Sequence, residues 1–154
     1  VDKNRALDKM QIICSQKEQC VGDIRKKLMR YPLTSIEIDK IIETLIESSF
    51  IDHRRYAKAY TNDSLKLKGW GRDKVRWMLR SKGVEEEYIE EALFEFREDD
   101  SERITALLLR KLESSKRDID KVRLKTKLIR FGLSRGFEYQ KVIDSVNKIM
   151  VNFV

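Results

Sequence analysis

A basic helix, a short turn and a mostly acidic helix recur three times along this chain, and nothing else in it constrains the fold so tightly. The middle copy runs Asp73-Lys-Val-Arg-Trp-Met-Leu-Arg-Ser-Lys-Gly83-Val84, followed by Tyr88, Ile89, Ala92 and Leu93. The last copy gives Lys127-Leu-Ile-Arg-Phe131, Arg135-Gly136-Phe137, then Val142 and Val146. The first gives Ile24-Arg-Lys-Lys-Leu28, Pro32-Leu33, then Ile38, Ile41 and Leu45. The turn residues Pro32, Gly83 and Gly136 lie 51 and 53 positions apart. A period of about 50 residues marks a stacked repeat array, in which a surface matters before a catalytic pocket does. The expected fold is all-α: three tandem three-helix repeats over 1–49, 50–98 and 99–154. A unit of about 50 residues is small for a core of its own, so neighbouring repeats should cover one another's apolar edges in an elongated, curved stack.

Composition supports helices and narrows the chemistry. One proline and six glycines leave little room for a β-rich fold, and 41% hydrophobic residues argue against wholesale disorder despite 38% charge. No apolar run nears the roughly 18 residues of a membrane span, and the N-terminus lacks a signal peptide's apolar stretch, so a cytoplasmic protein is expected. Cys14 and Cys20 stand with a single histidine, His53, and no second cysteine pair. Two reduced thiols are therefore expected, with no metal and no cofactor.

Helical spacing assigns the faces. Ala6, Leu7, Met10, Ile13 and Cys14 form one apolar stripe; Ile24 and Leu28 face inward from a helix over Val21–Arg30; Ile38, Ile41, Ile42 and Leu45 form a third. Thr34-x-x-Glu37 is a capping box, and Asp52 is an N-cap before Tyr56, Ala57 and Tyr60. Gly69-Trp70-Gly71 breaks the chain, and Gly83 ends a helix through a left-handed cap. Val75 with Leu79, then Ile89, Ala92, Leu93 and Phe96, complete the second repeat. In the third, Ile104, Leu107, Leu108 and Leu112 face inward, Glu113–Asp118 is a turn, and Val122, Leu124, Leu128 and Phe131 follow on the buried side. Gly132 stands where the middle copy has Leu79, which predicts looser packing there. Val142, Val146 and Ile149 close the array.

The net charge of +7 conceals blocks of alternating sign: +8 over residues 54–82, −8 over 85–100 and +8 over 103–135. Such blocks suggest one polyanion-facing side and an opposed acidic side. In the middle repeat Arg72, Arg76 and Arg80 recur every four residues, flanked by Lys74 and Lys82, with Lys66, Lys68 and Trp70 just upstream. The corresponding helices carry Arg25, Lys26, Lys27 and Arg30 in the first repeat, and Arg123, Lys125, Lys127 and Arg130, with Arg135 at the end, in the third. Stacking would align three basic helices into a track suited to a phosphate backbone or to the acidic wall of a filament. Trp70 is expected to plug its turn. Trp77 is open between burial under a neighbouring repeat and stacking on a base or a partner.

Catalysis finds little to work with. His53 has a carboxylate beside it in sequence, yet adjacent residues on a helix do not face one another, and no nucleophile accompanies it. No phosphate loop, nucleophile elbow or zinc-protease motif occurs. Glu85, Glu86 and Glu87 open a helix, where negative charge suits the dipole. A nuclease would need clustered carboxylates; Glu90, Glu91 and Glu95 are the only reachable set, and the first two diverge on a helix.

At Ile51-Asp52-His53-Arg54-Arg55-Tyr56-Ala57 the chain resembles the RecX family of bacterial recombination regulators. The resemblance continues through Lys68-Gly69-Trp70-Gly71, Lys74-Val75-Arg76, Leu79, Lys82-Gly83-Val84, Ile89 and Ala92-Leu93. It resumes at Lys127-Leu128, Arg130-Phe131 and Arg135-Gly136-Phe137, so that it covers essentially the whole chain. His53 departs from a usual aspartate, Gly132 from a leucine and Pro32 from a glycine. The resemblance implies three tandem three-helix repeats and a non-enzymatic regulatory protein of DNA repair, homologous recombination and the SOS response. Such a protein binds the RecA–single-stranded DNA filament and mostly inhibits RecA recombinase, ATPase and co-protease activity. The implied partners are the RecA nucleoprotein filament and, secondarily, single-stranded DNA; a monomer is expected. The alternative from the residues alone is a stand-alone DNA-binding helical protein.

Overall fold

The computed structural model describes residues 2–115 and 120–152. Among the described residues there are nine α-helices and no strand: α1 (Asp2–Gln16), α2 (Val21–Leu28), α3 (Ser35–Glu47), α4 (His53–Lys66), α5 (Arg72–Ser81), α6 (Glu86–Glu95), α7 (Ser101–Ser114), α8 (Lys121–Ser134) and α9 (Tyr139–Val151). None of them is long and apolar enough to cross a membrane. In chain order they fall into three triplets. By packing they form two compact units, Val1–Thr61 with Met78–Glu95 and Asn62–Trp77 with Phe96–Val154. Helices α4 and α5 therefore each begin in one unit and end in the other.

The first unit is held by the stripes that helical spacing assigns. Ala6, Met10 and Cys14 of α1, Ile24 and Leu28 of α2, and Ile38, Ile41, Ile42 and Leu45 of α3 form one buried cluster. Each fully buried aliphatic side chain contributes about 1.5–3 kcal/mol, so this cluster outweighs any surface ion pair nearby. Thr34 and Glu37 close a reciprocal capping box that starts α3. Asp52 Oδ1 accepts from the Arg54 and Arg55 amides at 2.9 and 3.1 Å, which fixes the start of α4.

In the second unit Ile104 and Leu108 of α7, Leu128 of α8, Phe137, and Val142, Val146 and Ile149 of α9 share a core. Three expectations change here. Val122 does not face inward: it is 76% exposed, because the buried face of α8 is Leu124, Leu128 and Gly132, and Val122 lies on the far side of that line. Packing at Gly132 is tight, not loose. A Cβ there would sit 2.7 Å from Val142 Cγ1, so α9 closes the space that a leucine would have filled. Glu113 and Ser114 belong to α7, which is capped at Ser115. The rest of the expected turn, to Asp118, lies outside the described residues.

Candidate functional site

Each unit contains a helix start docked on the turn that follows a basic helix. In the first unit the start of α2 meets the α5–α6 turn. The Val21 N–H donates to His53 Nε2 at 3.0 Å, and His53 Nδ1 lies 2.9 Å from Glu85 Oε2. Since Nε2 accepts, the ring proton sits on Nδ1 and points at the carboxylate. Both ring nitrogens thus serve a bridge between α2, α4 and the start of α6. Beside it, Lys82 Nζ lies 3.1 Å from Asp23 Oδ2. Burial opposes the Lys82 charge, but the Asp23 hydrogen bond and charge outweigh it and hold the ammonium above its ordinary range.

In the second unit the start of α5 meets the α8–α9 turn. The Gly71 N–H donates to the Arg135 carbonyl at 2.7 Å and the Asp73 N–H to the Gly136 carbonyl at 3.0 Å. The approach demands glycine on both sides: a Cβ on Gly71 would lie 2.3 Å from the Gly136 oxygen, and one on Gly136 would lie 2.1 Å from Lys74 Cβ. Lys68, Trp70, Lys74 and Arg135 are gathered at this junction. Lys68 Nζ and Lys74 Nζ stand 4.5 and 4.4 Å from the Trp70 ring centroid, and the Arg135 guanidinium stands 5.1 Å from that of Phe131.

Arg103 of α7, which spacing and charge do not single out, sets the loop that carries these groups. Its Nη1 donates to the Leu65 carbonyl at 2.7 Å and its Nη2 to the Trp70 carbonyl at 3.1 Å. Trp70 fixes its turn through the backbone as well, its N–H donating to the Ser64 carbonyl at 3.0 Å. Asp100 lies beside Arg103 and is buried. That burial pushes its carboxyl up, against the pull of Arg103, Lys141 and Arg72.

The remaining predicted cations divide by their partners. Arg25 pairs with Asp39 (2.7 Å), Arg76 with Asp73 (3.2 Å), and Arg80 holds Glu86 in a two-pronged contact whose Nε–Oε2 arm is 2.9 Å. Arg72 is half-buried at the start of α5. Lys26, Lys27 and Lys66 have no ion pair among the described residues, yet Arg25, Lys26 and Lys27 are consecutive and project ~100° apart, so α2 carries no basic stripe. On α8, Arg123, Lys127 and Arg130 share a sector of ~60° while Lys125 projects to the other flank. All four are exposed and without a carboxylate partner among the described residues. Trp77 is 66% exposed, which removes the buried alternative for it.

The acids have partners of their own. Glu91 accepts from Arg54 Nε at 3.1 Å and, like Glu95, is paired with Lys58. Among the described residues no group of three His, Cys, Asp or Glu is arranged to hold a metal ion. Cys14 and Cys20 are free and buried, and burial pushes both thiols up, away from the reactive thiolate.

Known proteins resemble this chain in sequence and in fold. Residues 52–93 match the model of the RecX second three-helix domain. The regulatory protein RecX of Clostridium botulinum (strain Eklund 17B / Type B) is 36% identical over 132 residues, which is 84% of this chain. The chain spans only 61% of that relative's length. The crystal structure of RecX from Lactobacillus salivarius superposes with a TM-score of 0.77 at 18% identity, covering 97% of both chains. A second crystal structure, of regulatory protein RecX, gives 0.82 at 24% identity, covering 96% of this chain and 72% of that one. The matched domain, the curated relatives and the solved structures agree on one group of proteins, and together they support the RecX family for this chain.

Proposed function

We propose that this chain is a regulatory protein, without catalytic chemistry of its own, that binds the RecA–single-stranded DNA filament and lowers RecA's ATPase, recombinase and co-protease activities. The observation that carries this reading is the basic face of α8. Arg123, Lys127 and Arg130 are exposed on one side of a helix that holds no acid, and no described carboxylate answers them. An uncompensated cationic face at that spacing suits a polyanionic assembly. The Trp70 loop supports a direct DNA contact within the same assembly, because an aromatic ring flanked by Lys68 and Lys74 combines stacking with phosphate attraction.

The test is RecA ATPase on single-stranded DNA with and without the protein. Wild type should inhibit. The Arg123→Glu, Lys127→Glu, Arg130→Glu variant should lose inhibition with helicity by circular dichroism intact, as should the Arg72, Arg76 and Arg80 reversal. Full inhibition by both folded variants would exclude these faces from the mechanism.

A further inference from the structure

Helix α8 has a second apolar edge that its own packing leaves largely uncovered. Leu124, Leu128 and Gly132 face the core. Val122, Thr126, Ile129 and Leu133 follow at intervals of four, three and four. At about 100° per residue they occupy a sector of ~60°, turned ~130° from the buried line. Val122 and Leu133, at the two ends, are exposed, and Ile129 between them is partly buried against the core. Alternating steps of three and four are the spacing of a seam between two helices. Arg123, Lys127 and Arg130 line one flank of this edge and Lys125 the other.

Internal stability does not account for this pattern. Arg123 lies in the first turn, where a cation opposes the helix dipole. A phosphate backbone would use the cations but not an apolar edge between them. We propose that α8 docks an acidic amphipathic helix of a protein partner, whose apolar stripe seats along Val122, Ile129 and Leu133 and whose carboxylates meet Arg123, Lys125, Lys127 and Arg130. The proposal rests on the filament-binding reading and assigns α8 to the protein component of that assembly, leaving DNA to the Trp70 loop.

The probe is a synthetic peptide about three heptads long, with Leu at its a and d positions and Glu at its e and g positions. It is titrated against the full chain by fluorescence anisotropy, beside a scrambled peptide of the same composition and an oligo-dT strand. The ordered peptide should bind at least about tenfold more tightly than the scrambled one. The double variant V122S/L133S, which keeps every cation, should weaken peptide binding about tenfold and leave oligo-dT binding unchanged. Should that variant lose helicity, V122S alone serves, since its side chain lies mostly in solvent. Equal binding of the two peptides, or undiminished peptide binding by the variant, would overturn the proposal. So would a parallel loss of oligo-dT binding, which would make α8 a nucleic-acid face. RecA ATPase separates the two readings. Peptide docking by a wild-type chain that does not inhibit RecA keeps α8 as a dock for an acidic helix but removes the filament as its source, whereas unchanged RecA inhibition by V122S/L133S removes α8 from the protein contact.

Discussion

Gly136 and Gly69 both have positive φ, at 87° and 67°, but they answer to different constraints. Nothing lies within 4 Å of a Cβ built on Gly69, whereas one on Gly136 would strike the backbone and Cβ of Lys74. Gly69→Ala should therefore cost only the left-handed strain, about 1 kcal/mol. Gly136→Ala must also push α5 off the α8–α9 turn and should cost at least about 3 kcal/mol in urea unfolding. Equal losses would mean that the close approach is not what selects glycine. Asp100 gives a pH prediction. Its folded carboxyl is raised by burial, so ionisation is disfavoured in the native state, and stability from this group is present in acid and lost as pH rises through the raised value. Asp100→Asn should be more stable than wild type at neutral pH by about 1 kcal/mol, with the difference vanishing towards acid. A difference independent of pH would remove the ionisation argument. His53 ties α4 to α2 by accepting the Val21 N–H at Nε2. His53→Leu leaves the Val21 amide without its acceptor and should cost about 1–3 kcal/mol.

Among the elements, α5 and α8 present the same kind of charge in different states. Two of the α5 stripe arginines have a carboxylate within reach, Asp73 for Arg76 and Glu86 for Arg80. The three on the α8 face have none among the described residues. Glu86→Gln should release Arg80 and tighten oligo-dT binding at low salt about two- to threefold, with the thermal midpoint unchanged. Weaker binding would show that the pair holds Arg80 in its productive position. Helix α6 also pairs its acids with Arg54 and Lys58 of α4, so its negative charge serves the packing of the first unit. That answers what the alternating charge blocks leave open: much of the acidic block is counter-charge within its own unit.

For the whole molecule, the proposed filament binding pairs cations with phosphates and with a partner's carboxylates, and log K should fall with log salt. Reversing Arg123, Lys127 and Arg130 should flatten that slope more than reversing Arg72, Arg76 and Arg80, because the α5 arginines already have carboxylate neighbours. A comparison of binding isotherms at several salt concentrations decides this, and equal slopes would make the two helices equivalent. The helices, their caps and most buried stripes were legible in the chain. Periodicity at three and four residues, the Thr34–Glu37 box and the Asp52 cap all act between near neighbours, within reach of local sequence. Tertiary structure alone decided which cations are available. Lys82 finds Asp23 across 59 positions and His53 finds Glu85 across 32, and no local pattern encodes such pairs. It also decided that Val122 faces solvent and that α9 fills the space beside Gly132, because the face a helix buries is fixed by what arrives to cover it. Sequence determined the elements, since those energies are local; the fold selected the surface, since charge pairing and burial depend on residues that only folding brings together.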